Sequence, residues 1–353
     1  MSTSKSQTRQ KHIAVIGAGM AGITCARTLV QAGHRVTVFE KSAGLGGRMA
    51  TRNSNFGTFD HGAQYFTARD PRFIEAMETV PGLCKPWSAN NVRVLDELGG
   101  VTKSVSGTRD AHWVPIPGMN ALVKGWAEPL LDQQAIERET RVTHLERDAL
   151  NPRQWQLRTK GPKEAQHVFS GFDSVLLALP PAQSRALLQT ASQFEKIIKQ
   201  VDSVSVAPCW TLMLAFPQAM QPGLGSLGPQ WNAARSTHHR IAWLARESSK
   251  PKRSPVERWT VQASAAWSQE HLDDDVPRVQ AKLLKAFSEV TGIRAEPAYV
   301  DVQRWLYAKT LVPLGKSHLW DRKAGVGVCG DWCLGHRVEN AFISGLELAL
   351  AVA

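Results

Sequence analysis

Apolar and polar positions fall into a clear order at the start of the chain. Residues 13–16 are Ile-Ala-Val-Ile, an unbroken apolar run of a length suited to a strand buried on both faces. Residues 23–32 mix small and apolar side chains at helical spacing until Gly33 stops them, and residues 36–40 read as a second strand. Residues 71–79 and 119–127 predict helices, the latter after a Pro117-Gly118 turn. Residues 141–146 alternate as a half-buried strand, and residues 155–159 and 167–169 read as a hairpin pair. Residues 173–179 predict another buried strand, ended by Pro180 and Pro181. Four further strands are expected at 206–216, 240–246, 259–265 and 299–305, with helices at 195–200 and 275–290. A strand over 325–329 and a helix over 339–349 close the chain. Parallel β-α-β order at the start and a later run of strands with few helices predict a mixed α/β and α+β fold, its second sheet mostly antiparallel with helices on one side.

Chemistry enters between the first strand and the first helix. Gly17, Gly19 and Gly22 spell G-x-G-x-x-G, with a strand before them and a helix after. That is the dinucleotide fingerprint of a Rossmann-type unit. The first glycine makes the turn, the second lets backbone approach the pyrophosphate, and the third lets helix pack on strand. The phosphates then face the free N–H groups of the helix N-terminus, where Met20 and Ala21 lie. Glu40 ends the second strand, where a carboxylate accepts hydrogen bonds from the adenosine ribose. A second copy of the motif, Gly223, Gly225 and Gly228, has no strand before it and Pro229 after it, so it reads as a loop. A second glycine loop follows Glu40, from Lys41 through Gly47 and Arg48 to Met49, and Gly62-Ala63-Gln64-Tyr65 follows Asp60 and His61.

A chain of 353 residues is long enough for two domains. Its formal charge of +11 is spread along the chain without a dense basic run or a recognised nucleic-acid module. It suits attraction of anionic ligands, and a nucleic-acid partner is not expected. Five cysteines, none in C-x-x-C, argue against a disulfide framework and fit a reducing cytoplasm. Residues 1–10 read as a disordered lead rather than a signal segment, and no stretch approaches a membrane span. There is no G-x-S-x-G elbow and no H-E-x-x-H. His238 and His239 are neighbours whose side chains would diverge on a strand, so no metal is expected there, and Asp273-Asp274-Asp275 reads as a helix start.

The continuation E-K-x-x-x-x-G-G-R-M resembles the FAD-binding superfamily of monoamine oxidase, phytoene desaturase and renalase. The segments G-A-Q-Y, P-C-W-x-L-M-L, I-A-W-L-A-R, R-W-L-Y-A and the terminal C-G-D-W extend the likeness over nearly the whole chain, toward the bacterial renalase-like FAD oxidoreductases. The resemblance implies a glutathione-reductase-like FAD-binding domain built from residues 11–66, 111–180 and 321–353. A substrate domain of residues 67–110 and 181–320 is interleaved with it. It also implies that Arg48 puts positive charge near the pyrophosphate and that Gln64 and Tyr65 pass beside the flavin. Val142 offers backbone to the adenine, and Asp331 takes a ribityl hydroxyl. The helix beginning near Asn340, Ala341 and Ile343 points its N-terminus at the flavin C2 carbonyl, and Ala341 and Gly345 let it approach closely.

The flavin does the chemistry, so no side chain is certain to be catalytic. Tyr65, Trp243, Trp305 and Tyr307 are the candidates for the substrate wall, among a wider set that includes Trp210 and Trp267. Cys329 and Cys333 are expected near the flavin, with FAD nonetheless held non-covalently. By resemblance the substrates are isomers of NAD(P)H reduced at the wrong ring position. Their hydride passes to flavin N5 and the electrons go on to O₂, giving hydrogen peroxide. An amine oxidase, a desaturase-like enzyme and a non-catalytic FAD sensor are the alternatives, and oligomeric state is open.

Overall fold

The computed structural model describes residues 9–88, 92–104, 110–220 and 227–353. Gly223 and Gly225 of the second glycine motif lie outside them, as does most of the expected lead over 1–10.

The first strand, β1 (His12–Ile16), runs into helix α1 (Met20–Gln31), which returns to β2 (Arg35–Phe39). β1 sits inside a six-stranded sheet ordered Leu319–Asp321, Val326–Val328, Ser174–Leu177, β1, β2 and Ile136–Glu137. Every pairing is parallel except that of the outermost strand Leu319–Asp321. The apolar run of β1 divides between two cores because successive side chains point to opposite faces. Ile13 and Val15 pack with Ile23 and Leu29 of α1, with Leu122 and Trp126 of the helix Asn120–Asp132, and with Phe342 and Leu348 of the helix Val338–Val352. Ala14 and Ile16 pack instead on Val142, Leu145, Leu157 and Phe172 of a three-stranded antiparallel meander. Gly345 lets the C-terminal helix close on α1, since a Cβ there would stand 2.2 Å from the Ala21 carbonyl oxygen.

Among the described residues the second sheet has seven strands, in the order Tyr299–Val312, Ser205–Phe216, Glu257–Ala263, Ile241–Arg246, Ala233–Ser236, Arg93–Leu95 and Val101–Ser104. Among the described residues only the Ala233–Ser236 pairing with Arg93–Leu95 is parallel. Leu212, Leu214 and Phe216 face Val279, Leu283 and Phe287 of the helix Val276–Thr291. The alternate residues Met213 and Ala215 face the other way, onto Phe59 of the first unit.

Four expectations change. The helix expected over 119–127 continues to Asp132 with Pro129 inside it, because Leu130 adds to its buried face. Pro180 and Pro181 end one element and also start another: Pro181 opens the helix Pro181–Leu188, a first-turn position that needs no N–H donor. The strand expected over 299–305 extends to Val312. His238 and His239 lie in a bend after Ala233–Ser236, and their rings stack at 4.5 Å instead of diverging. Asp275 caps the following helix by accepting from the Arg278 N–H, as a helix-start aspartate should.

Candidate functional site

The glycine turn after β1 is fixed by close packing. Gly17 has φ +104°, and a Cβ there would lie 2.6 Å from the Ala178 carbonyl oxygen. At Gly22 a Cβ would stand 1.8 Å from the Gly17 carbonyl oxygen. The two glycine loops then meet: a Cβ at Gly47 would lie 3.2 Å from the Gly19 Cα. Glu40 ties β2 to this turn, its buried carboxylate accepting from the Ala18 N–H at 2.9 Å and the Ser42 N–H at 2.8 Å.

The turn opens on a cleft of about 1570 Å³. Its walls bring together the residues expected from sequence. Gly17, Gly19, Met20, Ala21, Glu40 and Lys41 line one end with Val142, and Gly47, Arg48 and Met49 continue the wall. Gly62, Ala63, Gln64 and Tyr65 follow, with Asp331 and Ala341. Trp243, Trp305 and Tyr307 line the same space from the second sheet. Gly22, Asn340 and Ile343 do not line it. Gly22 is spent on packing α1 against the turn. Asn340 and Ile343 stand about 100° and 200° around the C-terminal helix from Ala341, which faces the cleft. Trp210 and Trp267 are buried in the second sheet's core and do not reach the cleft. Cys329 and Cys333 are likewise buried and off the wall, whereas Cys209 lines it. Burial pushes the Cys209 thiol up to about 11, so it stays protonated at neutral pH.

Arg48 crosses the cleft to Asp331, its two Nη atoms 2.5 and 3.1 Å from the carboxylate oxygens, and one also donates to the Tyr307 carbonyl at 3.3 Å. The segment 61–65 is held by its own backbone. Trp305 Nε1 donates to the His61 carbonyl at 2.9 Å, Gln262 Nε2 to the Gly62 carbonyl at 2.7 Å, and the Ala63 N–H to the Arg48 carbonyl at 2.9 Å. The His61 ring stacks on Trp305 at 5.2 Å, and burial with the nearby Arg52 charge lowers its pKa to about 4. Tyr65 packs against Trp243 at 5.7 Å and Trp87 at 6.2 Å, giving the cleft an aromatic side.

Sequence reasoning missed Asp60, Lys250 and Arg253 behind this segment. All three side chains are almost fully buried and ion-paired: Lys250 Nζ is 2.9 Å and Arg253 Nη2 2.8 Å from Asp60 Oδ2. The signal available was D-x-G ahead of Ala-Gln-Tyr, which marks Asp60; the lysine and arginine sit in a polar loop with no periodicity to single them out.

The residues fit a flavin dinucleotide. A Cβ would fill the glycine cradle, and Glu40 keeps lone pairs for ribose hydroxyls beyond its two backbone bonds. The volume exceeds the roughly 300–1,000 Å³ of a pocket for one small ligand, leaving room for a substrate as well. Charge on the wall is uneven. Among the described residues three carboxylates line it and all are engaged, Glu40 by backbone, Asp331 by Arg48 and Asp110 by Arg69. Lys41, Arg141, Arg235, Arg304, Lys309 and Arg337 add cations around the same space.

Known proteins match in two parts. A family model described as NAD(P)-binding Rossmann-like domain matches residues 15–79, and one described as Flavin containing amine oxidoreductase matches residues 102–353, more than half of the chain. Among curated proteins, an L-amino-acid oxidase of Siganus canaliculatus is 48% identical over 94 residues, 26% of this chain and 18% of that one. An L-amino-acid oxidase of Vipera ammodytes ammodytes is 48% identical over 56 residues, 16% of this chain and 12% of that one. The chain therefore matches less than a fifth of the length of either relative. Among solved structures, cyclohexylamine oxidase from Brevibacterium oxydans IH-35A superposes with a TM-score of 0.72 at 13% identity, covering 98% of this chain and 99% of that one. Putrescine oxidase bound to putrescine gives 0.69 at 11% identity over 98% and 99%. At these identities the superpositions establish the fold.

Proposed function

This chain belongs to the flavin containing amine oxidoreductase family, with FAD as its cofactor, and on that premise we propose an oxidase whose reductant is an isomeric dihydronicotinamide dinucleotide. FAD, held by the glycine turn, Glu40 and Arg48, would supply the hydride acceptor and the route for an electron pair to O₂. Overall, one dihydronicotinamide, one O₂ and one proton give one nicotinamide cation and one hydrogen peroxide. The observation that carries the reading is the surplus of Lys and Arg around the cleft once its carboxylates are engaged. Such a wall draws in a substrate bearing phosphates and repels a protonated amine. The flat aromatic side formed by Tyr65 and Trp243, with Trp305 and Tyr307 beyond it, suits a planar ring.

In this proposal residues 11–66, 111–180 and 321–353 hold FAD and residues 67–110 and 181–320 enclose the substrate. Gly17, Gly19, Met20 and Ala21 take the pyrophosphate with Arg48, Glu40 takes the adenosine ribose, and Gly62 to Tyr65 border the ring system. Free thiols at all five cysteines support a cytoplasmic setting, and among the described residues no helix is long and apolar enough to cross a membrane.

Oxidation of an amine is the second reading. The named activities of the cyclohexylamine and putrescine oxidases favour it, and so does the aromatic side of the cleft.

An anaerobic visible spectrum separates the two. Adding mixed dihydronicotinamide dinucleotide isomers to the FAD-loaded protein is expected to bleach the flavin within seconds, while cyclohexylamine, putrescine and ordinary NADH leave it yellow. Bleaching by an amine and not by the isomers would move the assignment to the second reading.

A further inference from the structure

Asp60 is the meeting point of a buried polar group that joins both halves of the molecule. It follows the strand Gly57–Phe59 and precedes the cleft-lining segment Gly62 to Tyr65. Its carboxylate accepts four donors. The Met119 N–H and Thr51 Oγ1 each reach Oδ1 at 2.8 Å, and Lys250 Nζ and Arg253 Nη2 reach Oδ2 at 2.9 and 2.8 Å. Behind them Glu247 Oε1 accepts from Lys250 at 3.0 Å, from Thr260 Oγ1 at 2.8 Å and from the Asp60 N–H at 3.2 Å. Arg253 also donates to Thr58 Oγ1 at 2.9 Å and the Pro115 carbonyl at 3.1 Å. The side chains of Asp60, Glu247 and Lys250 are 0% exposed.

Two features turn this group toward the cleft. First, the Asp60 carbonyl accepts from Gln64 Nε2, and the Gln64 amide cannot be reversed without setting oxygen against oxygen. The group therefore fixes the start of the segment and one of its cleft-lining side chains. Second, Lys250 Nζ lies 5.5 Å from the Trp87 ring, and Trp87 Nε1 donates to Ser249 Oγ at 3.1 Å; Trp87 in turn packs on Tyr65. One buried group thus sets both the backbone at 60–64 and the aromatic side of the cleft.

We propose that Asp60, Lys250 and Arg253 are positioning residues, which hold the Gly62 to Tyr65 segment and the Tyr65–Trp87 pair in register with the flavin. The inference rests on the reading that this segment borders the flavin. Burying so many charges is a poor way to gain stability alone, since apolar residues of the same volume do as well or better. What the ionic group adds is direction: each bond has one geometry, and together they connect residues 51, 58, 60, 115 and 119 to residues 247–260.

The test compares FAD-loaded wild type with Lys250→Met, Asp60→Asn/Lys250→Met, Arg253→Lys and Gln64→Ala. FAD content, Tm, flavin visible circular dichroism and flavin midpoint potential are measured for each. Gln64→Ala checks the underlying reading: it is expected to change the flavin dichroism, and an unchanged band would show that the segment is not beside the flavin. With that reading in place, Lys250→Met is expected to keep FAD, lose several degrees in Tm and change the flavin dichroism by about half. The double variant removes one charge of each sign, so its Tm recovers toward wild type while its dichroism and potential stay altered. Dichroism and potential identical to wild type in the double variant would overturn the proposal and leave the group a structural one. Should Lys250→Met fail to fold, Arg253→Lys decides by the same readouts. It keeps the charge beside Asp60 but gives up the bonds to Thr58 and Pro115, and an unchanged flavin signature there would equally overturn the proposal.

Discussion

Replacing Gly22 with alanine is expected to yield a chain that carries no FAD. A Cβ at this position would stand 1.8 Å from the Gly17 carbonyl oxygen, 3.0 Å from its carbon and 3.1 Å from the Ala178 Cβ. Overpacking costs about 1–3 kcal/mol even where side chains can give way. Here the obstacle is the backbone of the glycine turn itself. α1 must move off β1, and its N-terminal N–H groups then leave the place where the turn presents them to a pyrophosphate. Gly44 is the control. It lies in the same cleft wall, but among the described residues a Cβ there meets nothing within 4 Å and its φ is not in the positive range. Gly44→Ala should retain full FAD, read as the ratio of flavin to protein absorbance after gel filtration. Full FAD in Gly22→Ala would mean that the turn is not the phosphate cradle.

The contrast between these two glycines also shows what a sequence makes legible. The pattern around Gly22 is local: strand, turn, helix and strand follow within thirty residues, and each leaves its own periodicity. Glu40, at the end of the second strand, is legible in the same way, whereas Arg48 and the Gly62 to Tyr65 segment were legible only through the family resemblance; these three lie on the wall of one cleft. Asn340 and Ile343 show where local reasoning stops. They belong to the expected helix, yet only its rotation decides that Ala341 faces the cleft and they do not. That rotation comes from Gly345 against α1, a contact between the two ends of the chain. The tryptophans fail for a related reason. Trp210 and Trp243 both sit on strands of the second sheet, and only the sheet's packing against the helix Val276–Thr291 sends one to the core and the other to the cleft. Lys250 and Arg253 were illegible because their meaning lies wholly in a partner some 190 residues away.

That distant partnership sets the second large effect. Asp60→Asn is expected to lower stability by about 3–5 kcal/mol, the usual loss when one member of a buried ionic group is removed and its partners stay charged. For a chain of this size that is a fall in Tm of about 4–7 °C. The loss should also change how stability depends on pH. Burial by itself would raise the Asp60 carboxyl, but Lys250 and Arg253, with the Met119 N–H, outweigh it and hold the group below the ordinary carboxylate range. A folded-state pKa below the unfolded value of about 3.9 gives stability that is fully present above that value and is lost as pH falls from there through the lower folded-state pKa. His61 works in a separate window. Its pKa is lowered to about 4, so the stability that comes from keeping it neutral declines from about pH 6.5 downward. Urea unfolding measured between pH 7 and 3 should therefore separate the two groups. Asp60→Asn starts from a lower stability at pH 7 and keeps the decline below pH 6.5, but loses up to one proton's worth of the steeper slope near and below pH 4. An unchanged slope there, together with a wild-type Tm at pH 7, would mean that Asp60 is not charged in the folded protein, and that Lys250 and Arg253 find their balance in Glu247 alone.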